Sequence, residues 1–217
     1  MINRYHIFLL ALIFCLNITA QRHKHSHDHK HDGLHHWEIP SKDPDRIILT
    51  FNGDPSTKRA VTWRTDSSVE KAVAQIAVAG VNSSFVRKAT TYIASTEEFD
   101  LGLYKSNKSL IVNYHSVVFE NLKPNTLYAY RVGYGKNWSE WIQFKTANAN
   151  YSPTQFVYFG DAQNNLLSHW SRVIRMAYQT APNASFVIHA GDLVDTAHKD
   201  YEWAQWFKAG GFIHSQW

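Results

Sequence analysis

The chain has 217 residues, of which 44% are hydrophobic and 18% charged, with a formal net charge of +4. That composition supports a packed core and excludes a globally disordered chain. Lysine and arginine are scattered and form no stripe, so the mild positive balance points to no nucleic-acid partner.

Residues 1–20 read as a cleavable export signal. Arg4 is the positive start, "IFLLALIFCLNI" (7–18) the apolar stretch, and Ala20 the small residue before a cut at Gln21. The stretch is too short for a stable membrane anchor, so a secreted or periplasmic location is expected. The single cysteine, Cys15, lies inside it, and Ile13 and Phe14 are not the small residues that lipidation requires. The mature chain is thus expected to carry no disulfide and no thiolate metal site.

Residues 21–44 form a polar segment containing "RHKHSHDHKHDGLHHW" (22–37), expected to be disordered without metal. His23, His25, His27, His29, His31, His35 and His36 are seven of the thirteen histidines. Two readings stand: auxiliary capture of a borderline divalent metal by neutral imidazoles, or a solubilising tail with incidental affinity. Alternating histidines lack a preset tetrahedral geometry, which argues against a fixed structural zinc site.

Over 45–147 the hydrophobic period is two. Expected strands are 45–51, 59–65, 73–79, 84–90, 113–120, 127–134 and 140–146, separated by turn clusters such as "NGDPSTK" and "KPNT". Seven short strands at this spacing predict an all-β sandwich. In "LKPNTLYAYRV" (122–132) a leucine, a proline turn and a tyrosine open a strand. The pattern resembles the tyrosine corner of a fibronectin type III domain, with Tyr128 as the corner residue. Trp63 is expected in the core rather than on a ligand platform.

From 148 the pattern changes. "TQFVYFG" (154–160) and "SFVIHAG" (185–191) read as buried strands. Between them "LLSHWSRVIRMAYQT" (166–180) places Leu166, Trp170, Val173, Ile174 and Ala177 at helical spacing, and "DYEWAQWFKAG" (200–210) reads as a further helix. Strand, helix, strand is a βαβ unit with parallel strands. Both strands run into Gly-Asp, so Asp161 and Asp192 are expected side by side at the carboxyl rim of the sheet, where ligands of open α/β sheets bind. Each follows a glycine that permits a sharp turn. Paired carboxylates repel unless a cation lies between them. A metal centre explains the pair economically, and an acidic rim without metal remains the alternative.

The motif pair "FGDAQ" and "HAGDLVD" resembles the first two metal motifs of calcineurin-like metallophosphoesterases. With a fibronectin-like domain in front, the chain is similar to purple acid phosphatases. The resemblance implies a phosphate ester substrate and a centre of two divalent or trivalent ions (Fe, Zn or Mn). Asp161 would be a terminal ligand and Asp192 the bridge. The sequence departs from the pattern at three places. Asp161-Ala162-Gln163 stands where Asp-x-Gly is common. Asp195 stands where purple members carry the tyrosine whose tyrosinate causes the colour. It is read as a ligand, as an acceptor that orients one, or as a helix cap. The later Gly-Asn-His and histidine motifs do not occur before Trp217, and His189, His198 and His214 are not at matching positions. His189 is expected to be a core histidine and His169 to lie partly exposed on a helix.

The expected fold is therefore an all-β fibronectin III-like sandwich followed by the start of an α/β (βαβ) metallophosphoesterase domain over 148–217, cut short. The leading functional reading is the N-terminal part of a secreted metal-dependent phosphoesterase, weakly active or inactive as it stands. Its catalytic residues are not identifiable, nor is its oligomeric state. The rivals are a fibronectin-like binding module with a vestigial metal rim, and a metal carrier built on the histidine run.

Overall fold

Alternating apolar residues on short strands demand a second sheet to cover them, and the chain supplies one. The computed structural model describes residues 35–103 and 109–217. The expected export signal and His23, His25, His27, His29 and His31 lie outside the described residues. The first sheet has the order β1-β2-β6-β5, with β1 Asp45–Thr50, β2 Arg59–Asp66, β5 Ser95–Leu103 and β6 Ser109–Phe119. The second has the order β4-β3-β7-β8, with β9 also on β7. These strands are β3 Val73–Val78, β4 Thr90–Ile93, β7 Leu127–Tyr134, β8 Asn137–Trp138 and β9 Ile142–Lys145. Every pairing within these two sheets is antiparallel. Between the sheets lie Val61, Trp63, Phe119, Tyr130, Val132 and Phe144. A fully buried valine or phenylalanine contributes about 1.5–3 kcal/mol, so this cluster is a substantial source of the sandwich's stability. Trp63 is fully buried in it, as expected.

The corner tyrosine is in place. The backbone N–H of Lys123 donates to Tyr128 Oη at 2.8 Å, closing the turn before β7. Two strand expectations are corrected. Residues 84–90 do not form a strand: Ser83–Lys88 is a 3-10 helix, capped by Asn82, whose side chain accepts from the Ser84 N–H at 3.0 Å. None of its residues is buried, so no sheet face competes with that local bond. Conversely, β5 was not expected. Glu97, Glu98 and Asp100 give it exposed charge, and it lies at the sheet edge, where charge prevents pairing with another chain.

The C-terminal segment forms the expected βαβ unit. β10 (Val157–Phe159) and β11 (Val187–His189) pair in parallel, with Phe159 opposite His189. A π-helical turn, Leu166–Trp170, leads into α1 (Ser171–Thr180), and α2 is Asp200–Gly210. The two strands are covered on one face only, which corrects the expectation that they are buried. Val157, Phe159 and Val187 pack into a second core with Ile174, Trp206 and Ile213, whereas Tyr158 is 63% and Ile188 40% exposed. Two strands with one layer of helices cannot cover both faces.

This segment packs against β1 and belongs to the same compact unit as the sandwich. Ile48 of β1 joins the second core. Arg46 sits in the left-handed region (φ 50) beside an irregularity between Asp45 and Ile48. That bulge turns its side chain onto Asp200 in the first turn of α2, with bonds of 2.6 and 2.8 Å. Arg64 forks onto Asp45 at 2.8 and 2.5 Å and approaches Asp200 at 3.7 Å.

Candidate functional site

Parallel pairing brings the two Gly-Asp turns to the same edge of the sheet. The ladder continues beyond the strands, where Ala190 N–H donates to the Phe159 carbonyl at 2.9 Å and Ala162 N–H to the Asp192 carbonyl at 3.0 Å. Asp161 follows β10 and Asp192 follows β11, so the expected juxtaposition is observed at the backbone. Gly191 (φ 110) and Asp192 (φ 46) occupy successive positive-φ positions, and this turn needs its glycine. Gly160 has no positive φ, so only one of the two glycines is required by backbone conformation.

Both carboxylates are exposed, so solvent weakens their mutual repulsion and the pair does not of itself demand a cation. Gln163 Nε2 donates to Asp192 Oδ2 at 3.2 Å, fixing one carboxylate oxygen. Asp195 is exposed and accepts from Thr196 Oγ1 at 3.2 Å. Among the described residues no group of three or more His, Cys, Asp or Glu stands close enough to hold a metal ion. Asp161, Asp192 and Asp195 therefore do not form a closed ligand set. Hard oxygen donors at a sheet rim suit a divalent or trivalent cation, but the described residues supply only part of its shell.

His169 is exposed on the π-helical turn and His198 is exposed before α2. His189 points into the second core between the rings of Phe159, Trp170 and Trp206, at centroid distances of 5.5, 5.5 and 5.4 Å. Burial lowers its pKa, which keeps the imidazole neutral, and its Nδ1 has no hydrogen-bond partner. His214 stacks on Trp206 at 4.0 Å, and burial pushes its pKa down to about 4. His35 stacks on Trp37 at 4.1 Å, and His36 meets the same ring edge-on at 5.1 Å. These two of the seven run histidines are thus engaged with an aromatic ring.

The fold and rim define a class: a β-sandwich module joined to a βαβ unit that carries acidic turns at its carboxyl edge. Residues 44–146, which contain the sandwich, match the family model described as purple acid phosphatase, N-terminal domain. No curated protein matches the chain. Among solved structures, PhoD is similar with a TM-score of 0.50 at 14% identity, covering 77% of this chain and 36% of that one. The 77% share is more than residues 1–147 can supply, so the likeness of fold extends into the βαβ segment. The chain spans about a third of the PhoD chain. The chicken CNTN1 FN1–FN3 domains match at 21% identity and a TM-score of 0.34, over 50% of this chain and 31% of that one. The third fibronectin III domain of human KIAA0343 protein matches at 14% identity and a TM-score of 0.30, over 56% and 94%.

Proposed function

We propose that this chain is the front part of a secreted metal-dependent phosphoesterase that hydrolyses phosphate monoesters at a two-metal centre. The observation that carries the reading is the pair of Gly-Asp turns, joined by a backbone hydrogen bond from Ala162 to Asp192, behind a sandwich that matches the family model of the purple acid phosphatase N-terminal domain. Metal ions in such a centre neutralise charge on the phosphoryl oxygens and lower the pKa of water. This chain contributes negative charge and position. Asp161 and Asp192 face the rim, Gln163 steadies Asp192, and Asp195 adds an oxygen or orients another donor. The described residues supply too few ligands for a two-metal centre, and the chain is expected to be weakly active or inactive by itself.

The test uses the chain with the histidine run removed, because tail-bound metal would mask the rim. Equilibrium dialysis with Mn²⁺ or Zn²⁺ should show weak binding that disappears in the Asp161→Asn, Asp192→Asn double variant. Unchanged binding in that variant removes the two carboxylates from the proposal. Hydrolysis of p-nitrophenyl phosphate by the 217-residue chain should stay far below the ordinary enzyme range of about 1–10³ s⁻¹. Turnover within that range would show that the ligand set is complete and the assignment wrong.

A further inference from the structure

Between β1 and the C-terminal segment lies a cavity of about 260 Å³, lined by Leu49 and Phe51 on one side and by Val187, Trp206 and Ile213 on the other. Arg59, His189 and His214 also line it. The walls are apolar, yet three buried nitrogen atoms in lining residues have no hydrogen-bond partner: Arg59 Nε, His189 Nδ1 and Trp206 Nε1. Buried polar groups are normally satisfied, so three together at one cavity call for an explanation.

Arg59 is the strongest of the three. It is only 4% exposed, and among the described residues no carboxylate pairs with it. Its guanidinium stacks over Phe51 at 4.0 Å and Phe144 at 5.7 Å, and Nη2 donates to the Ser185 carbonyl at 3.3 Å. Aromatic faces and one carbonyl compensate a buried cation only in part. Burial pushes its pKa down to about 10, which leaves it charged at neutral pH. The histidines contribute no charge there, because burial lowers both pKa values and keeps them neutral. The cavity therefore offers one positive charge and apolar walls. Its size is slightly below the range of about 300–1,000 Å³ typical of drug-sized ligands.

We propose that this cavity binds a small organic monocarboxylate, with its carboxylate on Arg59 and its apolar body against Leu49, Val187 and Ile213. One guanidinium balances one negative charge. A phosphate dianion would bring an unbalanced second charge into an apolar enclosure. Phe51 and Phe186, packed edge to face at 5.3 Å, also line it.

The test is an NMR titration of the whole chain with hexanoate, hexan-1-ol and inorganic phosphate. Hexanoate should bind about tenfold or more tightly than hexan-1-ol, as a charge-assisted bond adds to the shared apolar contact. It should move the Trp206 indole N–H and His189 ring signals. Arg59→Met keeps the apolar stem and should abolish the preference for the acid over the alcohol. Equal affinity for hexanoate and hexan-1-ol overturns the proposal on the wild-type chain alone, whether or not the variant folds. So does binding of hexanoate without movement of those two signals, or phosphate binding there where hexanoate does not.

Discussion

Single side chains set two measurable properties. Tyr128 Oη accepts the Lys123 N–H at 2.8 Å, and the residue is 6% exposed. Tyr128→Phe leaves that donor unpaired inside the corner and should cost about 1–2 kcal/mol in urea unfolding, with the β-sheet spectrum retained. His115 faces the sandwich interior beside Trp63 and is fully buried. The Thr65 hydroxyl gives its proton to the Asp66 carbonyl, so it accepts from His115 Nε2 at 2.8 Å. His115 Nδ1 is left to accept from the Thr96 hydroxyl at 2.9 Å. Protonation would remove that acceptor inside the core. Burial pushes the His115 pKa down to about 4 from 6.5, and His214 likewise. Below pH 6.5 the unfolded chain takes up protons that the folded chain refuses until about pH 4. The stability these histidines allow is therefore complete above pH 6.5, falls as pH drops to 4, and changes no further below that. Tm should decline across this window, and His115→Gln should make the decline shallower. An unchanged slope in that variant would show that His115 takes up its proton equally in the folded and unfolded chain.

Elements were legible in the sequence where burial enforces a period, and illegible where local bonds or charge decide. Strand β7 and helix α2 match their expected ranges, since Tyr128, Tyr130 and Val132 share one buried face and Ala204, Trp206 and Ala209 are buried along the helix. The 3-10 helix at Ser83–Lys88 and the edge strand β5 carry no buried stripe, so periodicity had nothing to read. The rim was legible because Gly-Asp occurs twice after apolar runs, whereas the left-handed Asp192 has no sequence signal. Arg46 and Asp200 were likewise missed: a pair so far apart in sequence leaves no local pattern. Yet that pair fastens α2 to β1, with side chains 3% and 4% exposed. Asp200→Asn leaves Arg46 without its carboxylate and Arg64 without a second one. Removing one partner of a buried pair costs about 3–5 kcal/mol. Urea unfolding should show that loss, while Lys58→Ala, which removes the exposed bridge to Glu120, should change stability by less than about 1 kcal/mol.

At the scale of the whole molecule, two cores of unequal independence share one strand. The sandwich core is closed between its own sheets, and Leu49 of β1 points into it. The second core borrows Ile48 from the same strand and rests on two parallel strands of three residues each. Such a pair has too little ladder to stand alone. Polar links fasten it further: Tyr130 Oη donates to the Ser215 carbonyl at 2.7 Å, and Arg59 reaches Ser185. Residues 45–146 should therefore fold without the rest into an all-β domain. Their Tm should be lower than that of the whole chain, because the side of β1 that carries Arg46 and Ile48 loses its cover. Residues 148–217 should remain unfolded when separated. The whole chain should unfold in a single transition, seen at the same temperature by near-UV circular dichroism and by calorimetry. Calorimetry of the three species decides the matter. A cooperative transition from 148–217 alone, or two resolved transitions in the intact chain, would show that the βαβ unit stands without the sandwich. Helical circular dichroism from 45–146 would show that the sandwich depends on its neighbour. The asymmetry has a consequence for the rim: Asp161 and Asp192 are carried by the less independent of the two cores, so the geometry that aligns them is set through β1.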